Sequence, residues 1–253
     1  MSAETLISPM PTYEPRESLA EHREALARRA AWRLEDASPQ TIIRWAVRTF
    51  GARFAITSSM ADAVLIDLVA RAAPGTDVLF LDTGYHFDET IIMRDAVAAT
   101  YRGRINLVTV TPEQTVDEQD AEHGRDLFES NPDRCCFLRK VLPLDRALAG
   151  YDAWASGLRR DDSIARSRTQ VVDWDRRNGK VKVNPLARWT QADVDAYVAQ
   201  HGILTNPLLD DGFASIGCFP CTRRVGETGD ARSGRWAGTG KTECGIHLVG
   251  GPT

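Results

Sequence analysis

Leu19, Leu26, Ala30 and Leu34 recur at helical spacing within a stretch rich in Ala, Leu, Glu and Arg, which predicts a helix over 16–36. Ser38-Pro39 pairs a capping residue with proline at a first helical position, so a second helix is expected to run to Gly51. Short apolar runs then alternate with amphipathic ones. Strands are expected at 54–57, 78–81 and 105–110, with helices at 62–73, ended by Pro74-Gly75, and at 88–101. This β-α-β-α-β order implies an α/β fold with a parallel twisted sheet, flanking helices and right-handed crossovers. Ligands of such sheets sit at the carboxyl ends of the strands, and both 58–62 and 82–88 follow strands directly. Beyond Asp133 the pattern loosens. A helix is expected at 136–148, a fourth strand at 151–158, and short strands or extended segments at 171–175 and 181–183. Thr190, with Asp193 three residues on, caps a helix reaching His201. The Gly-, Ser- and Thr-rich stretch 226–240 reads as a mobile loop, and 1–15 as a loosely docked lead. The organisation expected is one α/β domain over 1–225 with a mobile C-terminal arm over 226–253.

With 43% hydrophobic residues in 253, the chain can build an ordinary globular core. A net charge of −4 argues against a general nucleic-acid or membrane-surface binder. Local anion sites stay open, because basic residues cluster, as at Arg159-Arg160 and Arg223-Arg224. No apolar run is long enough to span a membrane, the run 63–70 being broken by Asp67, and the first 17 residues carry no basic-then-apolar signal pattern. The expected compartment is the cytoplasm, where five cysteines do not form stable disulfides. Four of them fall into two pairs, Cys135-Cys136 and Cys218-x-x-Cys221, and Cys244 stands alone. That division suggests a cluster site and a free thiol.

Four thiolates can hold tetrahedral zinc or a [4Fe–4S] cluster. An adjacent pair is awkward on one small ion, so a cluster suits them better; four buried free cysteines are the plain alternative. Cys244 lies near the end of the chain, with Lys241, Arg232 and Arg235 nearby to favour the reactive thiolate and His247 three residues on. Its alternative is a surface thiol without a role. In the segment 57–62, Ser58 and Ser59 follow a strand and precede a helix whose N-terminus would favour an anion, unless Ser59 or Asp62 merely caps that helix. Gly84 permits a tight turn whose following backbone meets an adenine or ribose, unless Asp82 and Asp88 simply cap the next helix. Arg159, Arg160 and Arg166 follow the fourth expected strand and offer bidentate contacts to phosphate or sulfate, or else form a solvated charged loop.

Taken together, the segments Leu81-Asp82-Thr83-Gly84-Tyr85, Cys135-Cys136 with Arg139-Lys140, Gly157-Leu158-Arg159, Cys218-x-x-Cys221, Arg232-x-x-Arg235 and Glu243-Cys244-Gly245-Ile246-His247 resemble, in order, the phosphosulfate reductase family. The likeness is to its cluster-containing branch acting on adenylyl sulfate. It implies an adenine-nucleotide α-hydrolase-like sheet and a [4Fe–4S] cluster on Cys135, Cys136, Cys218 and Cys221. It implies that Lys140 links cluster and substrate electrostatically. Ser58, Ser59, Arg159, Arg166, Arg232 and Arg235 would line the nucleotide and its phosphosulfate, with His247 beside them. Cys244 would be the nucleophile, forming an S-sulfonate that thioredoxin or a similar dithiol protein discharges as sulfite. A homo-oligomer is compatible with all of this.

Three competing readings have their own discriminators. A reductase of the 3′-phosphorylated nucleotide would prefer that substrate, although such relatives generally lack the four cluster cysteines. An ATP-dependent sulfurtransferase on the same sheet would need ATP and magnesium, and the loop 58–62 lacks the glycines that cradle a triphosphate. A non-enzymatic nucleotide sensor would carry zinc without iron or sulfide.

Overall fold

A computed structural model describes residues 18–225 and 231–247; the expected lead at 1–15 lies outside them. Two helices, α1 (Leu19–Leu34) and α2 (Pro39–Phe50), open the chain; Ser38 caps α2 as its sequence predicts, and Ser18 caps α1 in a capping box with Glu21. There follow β1 (Phe54–Ser58), α3 (Val64–Ala72), β2 (Thr76–Leu81), α4 (Asp88–Thr100) and β3 (Ile105–Val110). Two helices absent from the sequence reading come next, α5 (Val116–His123) and α6 (Leu127–Ser130). α5 carries a capping box of Thr115 and Glu118 that the sequence does display.

The expected helix at 136–148 starts earlier, because Asn131 caps it and Pro132 occupies its first turn. It runs as α7 (Pro132–Cys136), a π-helical turn at Phe137–Val141, and α8 (Leu142–Ala147). The fourth strand shrinks to β4 (Ala153–Ala155), and the chain leaves the sheet at Ser156. β5 (Val172–Asp175) and β6 (Lys180–Val183) are true strands, joined as a hairpin, before α9 (Gln191–His201).

The sheet order is β3-β2-β1-β4-β6-β5, parallel throughout except for the antiparallel edge strand β5. β1 to β3 grow outward in one direction and β4 is added on the other side of β1. The order therefore reverses between β1 and β4, where an open parallel sheet has its ligand crevice. Alternate side chains serve opposite faces. Ile56, Val78 and Phe80 pack with Ile42, Ile43, Ile66 and Leu68 on one side. Ala55, Leu79 and Trp154 pack with Leu144 and Leu148 on the other. Asp67, which interrupts the apolar run, is buried within α3 and accepts hydrogen bonds from Tyr197 at 2.7 Å, Tyr101 at 3.3 Å and Arg71 at 2.6 Å.

Candidate active site

The crevice at the switch point is a cleft of about 820 Å3. Its walls come from the turns after β1 (Ser58, Ser59), β2 (Thr83) and β4 (Gly157, Arg159), and from the chain near Cys244. The turn after β1 does not enter its helix at Asp62 as expected. Met60 is fully buried in a left-handed conformation, φ 59°, unusual for a residue with a side chain. Two contacts hold it there: its N–H donates to Ser58 Oγ at 3.2 Å, and its carbonyl accepts from Asn206 Nδ2 at 3.1 Å. The helix begins only at Val64, whose N–H donates to Asp62 Oδ1 at 2.9 Å. Ser59 remains exposed and does not act as the cap.

The arginines expected at the substrate converge, and they arrive already facing carboxylates that the sequence reading assigned no role. Arg166 grips Glu243 bidentately at 2.6 and 2.9 Å and reaches Asp162 at 2.9 Å. Arg232 reaches Glu243 at 3.2 Å, and Arg159 pairs with Asp162 at 2.9 Å. Arg235 is buried over the Trp236 ring at 4.6 Å, against a glycine, Gly217, where any Cβ would collide with its guanidinium. Burial, followed by the charge of Arg166, pulls Arg232 down to about 10. Against its burial, the grip of Arg166 holds the Glu243 carboxyl below the ordinary range. Among the described residues, Arg159 Nη1 and Arg235 Nε are buried without a hydrogen-bond partner. A site with crowded cations and unused donors accommodates an anion with several oxygens.

Cys135, Cys136, Cys218 and Cys221 line one small pocket beside the cleft, joined by Tyr85 and Trp236. Two remote segments thus meet as the pairing of cysteines predicts. Thr83 Oγ1 lies 3.4 Å from Cys218 Sγ. Burial, then the neighbouring thiols, pushes Cys135 up to about 12; burial pushes Cys136 up to about 11 despite Lys140. Cys218 goes the other way: Lys140 and the Thr83 hydroxyl outweigh its burial and hold its thiol below the ordinary range. Four thiols so placed become thiolates together only around added positive charge. Among the described residues no group of three or more His, Cys, Asp or Glu side chains is arranged to hold a metal ion. The donor set, all sulfur and spread around a pocket, fits a multi-iron cluster better than one ion. Lys140, buried, lines both this pocket and the cleft. Its neighbour Arg139, also buried, ties the Thr83 carbonyl to Gln119 of α5.

Residues 226–230 of the expected loop lie outside the described residues. From Ala231 onward the chain packs back on the cysteine pocket: the backbone N–H of Trp236 donates to the Cys221 carbonyl at 2.9 Å, and Lys241 pairs with Asp133. Cys244 is a buried free thiol in the cleft wall, packed with Cys136 and Trp236. Ile246 and His247 follow it along the wall. His247 stacks on Trp154 of β4 and its Nδ1 lies 3.2 Å from Lys182 Nζ of β6. Ser58, Ser59, Lys140, Arg159, Arg166, Arg232, Arg235, Cys244, His247 and the four paired cysteines therefore line the cleft or the adjoining pocket, whereas Arg160 turns away and pairs with Glu35 at 2.7 and 3.1 Å. The additions are Asp162, Glu243, Trp236 and Lys182. Glu243 stood in a quoted motif, and Asp162 pairs locally with Arg159 and Arg166, three and four residues away; Trp236 and Lys182 follow from tertiary contacts without a local signature.

Residues 52–224 match the family model of the phosphoadenosine phosphosulfate reductase domain. The adenosine 5′-phosphosulfate reductase of Streptomyces coelicolor is 61% identical over 231 residues, 91% of this chain and 97% of that protein. The proteins of the same name from Mycobacteroides abscessus and Mycobacterium tuberculosis are 53% and 48% identical, each over 88% of this chain and 93% of their own length. The crystal structure of phosphoadenylyl-sulfate reductase from Candida auris, a phosphate complex, superposes with a TM-score of 0.66 at 33% identity, covering 79% of this chain and 96% of that one. An FMN adenylyltransferase from Candida glabrata shares the fold alone, with a TM-score of 0.52 at 14% identity over 84% and 69% of the two chains. The fold is the adenine-nucleotide α-hydrolase-like one that the sequence implied.

Proposed function

This chain belongs to the phosphoadenosine phosphosulfate reductase domain family, and on that premise we propose that it reduces adenylyl sulfate to sulfite and AMP in cytoplasmic sulfate assimilation, with Cys244 as nucleophile. The observation that carries this reading is a buried free thiol in the wall of an arginine-lined cleft at the switch point of the sheet. The thiolate of Cys244 attacks the substrate's sulfur, an S–S bond forms, and the S–O bond breaks with AMP as leaving group. Arg166, Arg232 and Arg235 neutralise oxygens that would otherwise repel the thiolate. Ser58, Ser59 and Arg159 hold the nucleotide, His247 lies beside the sulfate, and Lys140 adds its charge from the side of the cysteine pocket. Glu243 and Asp162 occupy the arginines until the substrate's anion takes their place.

The second step needs a dithiol protein of the thioredoxin kind. One of its thiolates attacks Cys244 Sγ, and sulfite departs with the bonding pair. The partner's second thiol then resolves the mixed disulfide and restores Cys244. Cys135, Cys136, Cys218 and Cys221 would hold a [4Fe–4S] cluster. When bound, it supplies the iron cations that keep those four thiolates deprotonated at the edge of the cleft, while the partner's thiols provide both electrons. In this reading the segment that carries Cys244 opens for the partner and closes over the nucleotide.

The four cysteines and the relatives named for adenosine 5′-phosphosulfate favour adenylyl sulfate over its 3′-phosphorylated form. Sulfite production with reduced thioredoxin tests the choice. Turnover is expected on adenylyl sulfate, with kcat/KM far above that on the 3′-phosphorylated nucleotide. The reverse preference would make this a reductase of the latter.

A further inference from the structure

Lys182 stands on β6 between two neighbours in register, Trp154 on β4 and Asp173 on β5. It is buried, its ammonium 4.9 Å from the centroid of the Trp154 ring. Trp154 is itself fixed, fully buried, with its indole N–H donating to Asp175 Oδ2 at 2.9 Å. His247 lies almost parallel to the same indole, at 16° and 6.1 Å between centroids, with Nδ1 at 3.2 Å from Lys182 Nζ. A burial this thorough, for a cation that forms no salt bridge among the described residues, calls for an explanation.

An ammonium has donors and no acceptor, so Nδ1 must accept and the imidazole proton must sit on Nε2. A charged imidazolium is excluded by its surroundings. Burial comes first, then Lys182, Arg166, Arg232 and Lys140 crowd the ring, and together they hold His247 well below its ordinary range. Burial pulls Lys182 down to about 8, against the pull of Asp175 and Asp173, which still leaves it cationic at neutral pH.

We propose that Lys182 is a positioning residue: held over Trp154, it fixes His247 in the cleft wall as a neutral Nε2–H donor to an oxygen of the phosphosulfate, and so seats the segment carrying Cys244. This rests on the reading of Cys244 as nucleophile.

The test measures formation of the Cys244 S-sulfonate in a single turnover on adenylyl sulfate without dithiol, using Lys182→Met, Lys182→Arg, His247→Gln and the Lys182→Met/His247→Gln double variant. Iron content and melting temperature are followed in parallel. Lys182→Met should slow the adduct by about a hundredfold, the scale of a displaced catalytic contact. Lys182→Arg should recover part of the rate. In the His247→Gln background, Lys182→Met should slow it by less than about twofold, because a residue acting through another loses its effect when that other is gone. Nitrogen NMR of the wild type should show His247 with a bare Nδ1 and a protonated Nε2, and the Lys182→Met variant a mixture of tautomers. An unaltered rate in Lys182→Met, losses that multiply in the double variant, or a wild-type proton on Nδ1 would each overturn the proposal. Absence of any adduct on wild-type Cys244 would instead overturn the functional reading on which it depends.

Discussion

Among individual residues, charge balance in the cleft is the least legible feature of the sequence. Arg159, Arg166, Arg232 and Arg235 suggest an anion site by their type and clustering, and they do converge. Asp162 lies between Arg159 and Arg166 by a local turn, whereas Glu243 reaches Arg166 and Arg232 only through the closed position of the chain around Cys244. An arginine that trades one carboxylate for a substrate oxygen keeps a charge-assisted hydrogen bond throughout, so the cleft need not hold bare cations while it waits. Arg232→Ala and Arg235→Ala should each lower kcat/KM on adenylyl sulfate by about 1.5–3 kcal/mol, roughly 10- to 150-fold; unchanged steady-state kinetics in both would assign these arginines to the chain alone. Lys182 yields a pH prediction. Its folded value near 8 lies below the ordinary 10.5 of the unfolded chain. Between those values the unfolded chain binds more protons, so stability rises with pH across that window. The melting temperature of the wild type minus that of Lys182→Met should therefore climb from pH 8 to 10.5. A flat difference would mean that the ammonium is not desolvated on folding.

Elements with strong periodicity or a clear cap, α1, α2, α4 and α9, lie where the sequence puts them, and so do the first three strands. The departures have physical causes. β4 is three residues long: the Ser156 N–H makes a last bond to the Val183 carbonyl of β6, its hydroxyl donates to Asn184 Oδ1, and the chain then turns into the cleft wall at Gly157. The π-helical turn at Phe137–Val141 follows the cysteine pair directly and sets Arg139 and Lys140 inward. An extra residue in a helical turn changes the facing of side chains without altering composition, so no periodicity reveals it. Asp67 is the plainest case. In sequence it breaks an apolar run; in the fold two tyrosines and Arg71 satisfy it. Asp67→Ala leaves those buried hydroxyls unpaired and should lower the unfolding free energy by about 3–5 kcal/mol in urea titrations. A loss below about 1 kcal/mol would show that water or rearrangement replaces the carboxylate.

The molecule as a whole is organised around the reversal of strand order between β1 and β4, which gathers the turns after β1, β2 and β4 at one edge. Paired cysteines 82 residues apart in sequence, from Cys136 to Cys218, reach one pocket at that edge, and the chain near Cys244 closes over both. Motif spacing announced the gathering, and the family likeness placed Lys140 between pocket and cleft; the packing of Trp236 between Cys136 and Cys244 was visible only in three dimensions. Protein purified without oxygen should be brown and contain iron and acid-labile sulfide in the ratio of a [4Fe–4S] cluster. Serine at Cys135, Cys136, Cys218 or Cys221 should bleach it and abolish activity, and a colourless, fully active wild type would remove the cluster from the account. The central claim, that Cys244 is the nucleophile, is tested most directly by intact mass and peptide mapping after incubation with adenylyl sulfate and no dithiol. The account predicts one AMP released per active site, a sulfonate on Cys244 that reduced thioredoxin discharges as sulfite, and no adduct on Cys244→Ser. Sulfite from Cys244→Ser at the wild-type rate, or a sulfonate on another residue, would contradict it.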